Sequence, residues 1–169
     1  MLICGVFLSP LLVAGGRQLM EALAGRGFAI ALDAGWPDGG WDDVRSAVAS
    51  WLPLVDHVLF NEIETMALAG CEPLESAMEW MQARLGTTAT QVVKCGAEGA
   101  RAWRAGRRIH CRAPEVGVVD TIGAGDVFNA GYLYGCATGR DLDASVALGI
   151  SCASTAISTR PRRYGPGGE

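Results

Sequence analysis

The sequence lacks the features that mark several common classes of protein. Its 169 residues carry a net charge of −4 and include no run of basic side chains, which argues against nucleic acid or an acidic membrane surface as a partner. The six cysteines are scattered and form no C-x-x-C pair. Such cysteines are typical of small buried side chains in a reducing compartment. We therefore expect a cytoplasmic protein without a disulfide framework or a zinc site.

Long hydrophobic runs and the two best-known phosphate-binding fingerprints are also missing. The apolar start, residues 1–16, has no basic n-region, contains Pro10 and is too short to span a bilayer. We interpret it as a buried strand followed by a loop, and we expect no membrane association. The chain has neither a G-x-x-x-x-G-K-[ST] loop nor a G-x-G-x-x-G after its first strand. It is therefore neither a P-loop enzyme nor a typical dinucleotide-binding protein.

The residues that are present predict one α/β domain. Half of the chain is hydrophobic and 19% is charged, which is an ordinary globular composition. Apolar strands alternate with amphipathic helices, a pattern typical of a mostly parallel, Rossmann-like sheet with helices on both faces. The predicted strands are 3–8, 28–33, 57–61 and 91–95, followed by a hairpin of 99–103 and 107–111; the predicted helices include one ended by Gly25 and Gly27, then 42–51, 62–69 and 73–85.

Two further helices are predicted in the last third of the chain. The first has Val127, Ala130, Gly131, Tyr134 and Ala137 on one face and ends at Gly139. Asp141 caps the second, whose inward side chains are Leu142, Val146, Gly149, Ile150 and Ala153. The polar, Gly/Pro-rich residues 161–169 are predicted to be a flexible tail.

Polar residues follow three of the predicted strands. Asp33 and Asn61 end two of them, and Lys94 with Gly96 follows a third. Ligands of such sheets bind beyond the carboxyl ends of the strands, so we expect these residues to converge on one edge.

The stretch "DTIGAGD", residues 120–126, predicts an anion-binding helix start. Gly123 and Gly125 allow a tight bend and leave backbone N–H groups accessible, at the positive end of a helix dipole. The same groups would stabilise a phosphoryl group in transfer, and Asp126 could accept the proton of an attacking hydroxyl. The glycines alone are equally consistent with a plain helix start in which Asp126 only stabilises the dipole.

Two other segments each allow two interpretations. Asn61 and Glu64, three residues apart, could serve Mg²⁺ near phosphates, but taken alone they fit a capping box better. Lys94 could face a phosphate, with Gly96 and Gly99 lying against a nucleotide. The alternative is a tight turn into the hairpin with Lys94 in solvent.

Together these motifs resemble the ribokinase-like (PfkB-type) carbohydrate kinase family. "DTIGAGD" is close to the D-T-x-G-A-G-D signature of that family, "NEIE" at 61–64 matches its N-x-x-E element, and "VVKCGAEGA" at 92–100 matches its strand-and-glycine segment. The resemblance covers nearly the whole chain, but only the C-terminal portion of a family member. It implies that residues 1–160 are the nucleotide-binding and catalytic part of a ribokinase-like domain whose sheet is incomplete.

The resemblance also implies a reaction and a set of site residues. The γ-phosphate of MgATP would move to a hydroxyl of a small sugar or sugar-like substrate. Asp126 would be the base, with Gly123, Ala124 and Gly125 as the anion hole. ATP would be bound by Asn61, Lys94, Gly96, Gly99, Thr121, Ile150 and Ala153. Asn61 and Glu64 would hold Mg²⁺, partly through water, and Asp120 matches a position that in some members helps to hold a monovalent cation such as K⁺.

The sequence also departs from the family pattern. "TRPRRYG" at 159–165 interrupts the usual T-R-P-G-A, and the N-terminal half that normally carries most sugar contacts is not present. An alternative is therefore a truncated, catalytically inactive fragment that binds nucleotide or self-associates. An exposed sheet edge would favour such association, for example as a homodimer.

Overall fold

The computed structural model describes residues 1–165, which form two compact units. The first unit comprises residues 1–93 and 103–107, and the second comprises residues 94–102 and 108 onward. The predicted flexible tail lies partly outside the described residues, and its mobility stays a prediction. No helix in the described part of the chain is both long and apolar enough to cross a membrane.

Six strands form one sheet in the order β1-β2-β3-β4-β5-β6, which confirms the α/β class and the mostly parallel sheet. β1 pairs in parallel with β2 and β2 with β3, with Ile3 opposite Leu32 and Leu32 opposite Val58. The strands are β1 Leu2–Cys4, β2 Ala31–Asp33, β3 His57–Asn61, β4 Thr90–Lys94, β5 Ala100–Arg104 and β6 Arg107–Cys111; the helices are α1 Pro10–Ala24, α2 Arg45–Trp51, α3 Glu62–Ala69, α4 Leu74–Gln82, α5 Ala124–Ala137 and α6 Leu142–Ser158.

The start of the chain differs from the prediction. β1 ends at Cys4 because Gly5 adopts a left-handed conformation, with a φ of 60°, and a short 3₁₀ helix follows at Val6–Leu8. The segment expected to be a loop is the first part of α1, which begins at Pro10. Proline suits this position because its fixed φ matches a helix and its missing N–H would have no partner there.

The core of the first unit is an apolar cluster built on its strands. Leu32, Val58 and Phe60 are fully buried and pack with Trp51 and Met20 from the helices. Burial of such side chains stabilises the fold by about 1.5–3 kcal/mol each. This cluster fixes the two strands whose last residues are Asp33 and Asn61.

The second unit is built on the packing of α5 against α6. Phe128 and Tyr132 are buried on α5, with their rings stacked 6.4 Å apart, whereas Ala130, Tyr134 and Ala137 are exposed. The predicted apolar face of α5 is therefore wrong at these three positions, whereas Gly131, which was also predicted to lie on it, is buried. A stripe of glycines determines the buried face instead, because glycine lets a neighbouring helix approach closely.

Three glycines form this helix-helix seam. A Cβ on Gly135 would lie 2.9 Å from Ser145 Cα, and one on Gly131 would lie 3.0 Å from Cys152 Sγ. From the other helix, a Cβ on Gly149 would lie 3.0 Å from the Phe128 carbonyl oxygen. Burial raises the pKa of the Cys152 thiol in this seam. The seam fixes the orientation of α5, and hence the direction in which its N-terminus points.

Candidate active site

The candidate site in the second unit is the N-terminus of α5. Gly123 precedes the helix with a φ of 73°, a left-handed conformation that suits glycine, and the helix begins at Ala124. The Asp126 side chain is in the first turn and is exposed. The loop therefore turns into a helix at the residues where the glycines predict it.

The N–H groups at this helix start are not all equivalent. The Ala124 N–H donates to the Thr121 carbonyl at 3.1 Å, which closes the turn. Ala124 was predicted to be an anion-hole donor, and that prediction is wrong for its N–H because the turn already uses it. Within residues 1–165, the N–H groups of Gly123, Gly125 and Asp126 donate to no protein acceptor. These three are the donors that an anion at the helix dipole could use.

Lys94, the last residue of β4, brings a positive charge to this helix start. Its Nζ lies 3.4 Å from the Asn129 Oδ1, and a Cβ built on Gly125 would also lie 3.4 Å from that Nζ. The ammonium therefore lies beside Gly125, and its role toward a phosphate stays a prediction. A methyl group at position 125 would narrow the space in front of it.

Asn129 is a residue of this site that the sequence analysis did not identify. It is completely buried in α5, three residues after Asp126. Residues three apart share a helix face, so an amide in this otherwise apolar helix was the available signal. Its contact with Lys94 anchors the ammonium from the side of the helix.

The two glycines after β4, Gly96 and Gly99, differ in the space around them. A Cβ on Gly96 would meet no atom within 4 Å, so Gly96 leaves space in which a ligand could approach the backbone. A Cβ on Gly99 would lie 2.0 Å from the Cys111 carbonyl oxygen, because the chain packs directly on it. Gly99 is thus required by the fold whether or not it contacts a nucleotide.

A groove along α6 provides space for part of a ligand. It has a volume of about 260 Å³, and apolar and polar residues line it in equal number: Cys111, Arg112, Pro114, Val116, Ala147, Ile150, Ser151, Ser154, Thr155 and Ser158. Ile150, predicted to border adenine, is among the lining residues, and Ala153 is half-buried on the same helix. A groove that combines apolar side chains with hydrogen-bonding groups could take a planar heterocycle.

Asp120, at the start of the loop, is fully engaged. Its Oδ1 accepts the Ile122 N–H at 2.9 Å, and its Oδ2 forms an ion pair with Arg162 Nη2 at 2.6 Å. Its own N–H donates to the Ile157 carbonyl at the end of α6, at 3.2 Å. Arg162 is a second residue that the sequence analysis did not place in the site, although it belongs to the "TRPRRYG" departure.

Asn61 and Glu64, in the first unit, form the capping box of α3. The Asn61 Oδ1 accepts the Glu64 N–H at 2.8 Å, and the Glu64 Oε2 accepts the Asn61 N–H at 2.9 Å. The helix-capping interpretation is therefore confirmed. The Asn61 Oδ1 and the Glu64 Oε2 each already accept a backbone N–H in this box, which favours contact with Mg²⁺ through water over direct coordination.

Metal-ligating side chains do not form a dense cluster within the residues that the structure describes. Among residues 1–165 there is no group of three or more His, Cys, Asp and Glu side chains that could hold a metal ion. Mg²⁺ on phosphates does not need one, because it usually keeps several waters and takes one or two protein ligands.

Comparison with known proteins shows the family. Residues 1–164 match the pfkB family carbohydrate kinase model. The chain is 38% identical over 108 residues to fructoselysine 6-kinase of Escherichia coli strain K12, a match that covers 63% of this chain and 40% of that enzyme.

Solved structures share the fold. An E. coli protein provisionally assigned as ribokinase II, in complex with ATP and Mg²⁺, superposes with a TM-score of 0.82 at 24% identity, over 98% of this chain and 53% of its own. A fructokinase double mutant from Vibrio cholerae O395, in its fructose-, ADP- and potassium-bound form, gives 0.82 at 20% identity, over 94% and 54%. The chain thus spans about half the length of these structures. It belongs to the pfkB family of carbohydrate kinases.

Proposed function

We propose that this chain carries the phosphate-transfer part of an ATP-dependent sugar kinase. The observation that carries the proposal is the α5 N-terminus, where accessible N–H groups, the Lys94 ammonium and the Asp126 carboxylate surround one loop. Its family supports sugars as acceptors, and a fold neighbour was solved with ATP and Mg²⁺.

In the proposed reaction, an acceptor hydroxyl attacks the γ-phosphorus of ATP. A bond forms between the hydroxyl oxygen and that phosphorus, the bond to the β,γ-bridging oxygen breaks, and ADP leaves. Asp126 takes the hydroxyl proton. The N–H groups of Gly123 and Gly125 and the Lys94 ammonium stabilise negative charge on the transferring oxygens.

The remaining site residues are assigned supporting roles. Ile150 borders the adenine in the groove along α6, and Ala153, which does not line the groove, lies three residues further along the same helix. Gly96 leaves room for the nucleotide, and Thr121 holds Ala124 in the turn. Mg²⁺ neutralises charge on the ATP phosphates when bound, and Asn61 and Glu64 would contact it through water.

The short coverage of its relatives favours a second candidate, a nucleotide-binding chain that does not phosphorylate sugars by itself. The chain covers 40% of fructoselysine 6-kinase, and much of such an enzyme therefore has no counterpart here. The two candidates share MgATP binding and differ in sugar-dependent turnover.

One set of measurements separates these candidates. MgATP affinity is measured by calorimetry, and ADP release is measured across a panel of sugars. Where sugars stimulate ADP release, we expect Asp126→Asn to lower the rate by about 10²–10⁴-fold with MgATP affinity unchanged. Asp143→Asn, the same change in the first turn of α6, is the matched control and should leave the rate unchanged.

The other outcomes are equally informative. MgATP binding without ADP release supports the second candidate and argues against the first. An unchanged rate in Asp126→Asn refutes the role of Asp126 as base, and no measurable MgATP affinity refutes both candidates.

A further inference from the structure

The loop that leads into α5 presents oxygen atoms to a single positive charge. The Arg162 Nη2 donates to the Asp120 Oδ2 at 2.6 Å and to the Asp120 carbonyl oxygen at 3.2 Å. The Nη1 of the same guanidinium donates to the Ile122 carbonyl oxygen. One carboxylate oxygen and two carbonyl oxygens, which come from two residues of the loop, therefore converge on one cation.

This set of oxygens has the chemistry of an alkali-cation site. Carbonyl and carboxylate oxygens replace the hydration shell of hard monovalent and divalent cations in proteins. The resemblance implies a monovalent cation at Asp120, and a fold neighbour was solved with potassium. K⁺ does not fit here while Arg162 is in place, since the guanidinium already occupies the oxygens.

The guanidinium also lies close to the proposed anion site. A Cβ on Gly123 would be 3.8 Å from the Arg162 Nη1 and 3.8 Å from the Asp126 Oδ2. Arg162 and Asp126 therefore flank the same glycine. The Arg162 side chain is 21% exposed, so the guanidinium is partly shielded from water.

We propose that Arg162 is a built-in replacement for the monovalent cation, which makes the order of the α5 loop independent of K⁺. A covalently attached cation is present at any salt concentration, whereas a bound ion must be captured from solution. The part of this inference that concerns phosphate transfer rests on the proposed function; the occupation of the cation position does not. Arg162 is a positioning residue, because it acts through the loop.

The test is the thermal unfolding midpoint of the full chain in KCl, NaCl and choline chloride at equal ionic strength. For the wild type we expect the same midpoint in all three salts. Arg162→Ala should lower the midpoint in choline chloride and open the oxygens to an ion. KCl at about ten times the dissociation constant should then raise it by roughly 3–6 °C.

Arg163→Ala is the matched control, because it removes the same charge one residue later from an exposed side chain. It should leave the midpoint unchanged and create no preference for K⁺. Thallium NMR with Tl⁺ as the K⁺ probe gives a direct readout, in which Arg162→Ala binds the ion and the wild type does not.

Three results would overturn the inference: a K⁺-selective shift in the wild type, no loss of stability in Arg162→Ala relative to Arg163→Ala, or a destabilised Arg162→Ala that binds neither K⁺ nor Tl⁺. None of these readouts depends on phosphate transfer, so their failure is distinguishable from a failure of the proposed function.

Discussion

The glycine pair after β4 gives a sharp test of how the candidate site is built. Gly99 has a φ of 95° and a ψ of −125°, and an added Cβ would lie 2.0 Å from the Cys111 carbonyl oxygen and 2.6 Å from the Ala113 nitrogen. Cβ atoms in proteins essentially never come closer than 3.0 Å to such neighbours, and both neighbours here are backbone atoms that cannot rotate away. Gly99→Ala must therefore move the chain as well as strain position 99.

The magnitude follows from two contributions. Strained backbone costs about 1–3 kcal/mol and overpacking costs about 1–3 kcal/mol, so Gly99→Ala should lose roughly 2–6 kcal/mol of stability. Gly96 also has a positive φ, of 52°, but an added Cβ there meets no atom within 4 Å. Gly96→Ala should therefore lose only the backbone contribution, about 1–2 kcal/mol.

Urea unfolding followed by far-UV circular dichroism measures both variants. All five tryptophans lie in the first unit, whereas these glycines lie in the second, so tryptophan fluorescence alone would be a poor probe. With a slope of about 2 kcal/mol per molar urea, the midpoint should fall by roughly 1–3 M for Gly99→Ala and by less than about 1 M for Gly96→Ala. Equal midpoints for the two variants would refute the assignment of Gly99 to the fold and Gly96 to open space.

Two further predictions concern stability. Gly135→Ala forces a Cβ to within 2.9 Å of Ser145 and should destabilise the chain by about 1–3 kcal/mol. Gly15→Ala is the control, because its added Cβ has only one atom within 4 Å, and it should not destabilise the chain. The urea concentration at the unfolding midpoint measures both variants, and equal midpoints would contradict the close packing of α5 on α6. Burial lowers the pKa of His57. The negative charge of Asp56 acts in the opposite direction, and the positive charges of Arg104 and the N-terminus lower the pKa further. As the pH is lowered, His57 therefore becomes protonated in the unfolded state at a higher pH than in the folded state. The free energy of unfolding should then fall as the pH drops below about 6.5. His57→Gln should flatten that fall in melting curves from pH 7.5 to 5, and an unchanged slope relative to a His110→Gln control would argue against it.

Elements with strong local signals could be predicted from the sequence to the residue. β3 and α3 have the predicted bounds because an apolar run, the Asn61–Glu64 capping box and Gly70 in a left-handed conformation define them locally. β1 could not be predicted in the same way. Gly5 interrupts an apolar run that remains buried at Val6, and hydrophobicity alone does not reveal the change of backbone direction.

The predicted buried face of α5 was wrong at Ala130, Tyr134 and Ala137 for a related reason. An apolar stripe is inferred mainly from side chains that are large enough to be buried, and a glycine has none. Here Gly131 and Gly135 determine the face by allowing close approach of α6, and this leaves Tyr134 62% exposed. The stripe of glycines becomes meaningful only when the partner helix is known.

Contacts between distant residues explain what the sequence could not supply in the candidate site. Asp120 and Asp126 belong to a recognisable motif, and the motif places both at the start of α5. The contacts made with distant parts of the chain cannot be inferred from that motif. Arg162 is 42 residues from Asp120, and Asn129 is 35 residues from Lys94. Helical periodicity relates residues three or four apart, so it carries no information on either pair.

These long-range contacts give the two positively charged side chains at the site, Arg162 and Lys94, different roles. The Arg162 guanidinium forms hydrogen bonds with the loop itself, through the Asp120 and Ile122 oxygens, so its charge is largely balanced by the Asp120 carboxylate. Lys94 contacts the Asn129 Oδ1 at 3.4 Å and lies beside Gly125 at the start of α5. In the proposed reaction, Lys94 and the helix N–H groups would meet the phosphate, while Arg162 keeps the loop in the conformation that presents those N–H groups. A site in which one cation orders the loop and another meets the ligand can bind its anion without first capturing a metal ion at Asp120.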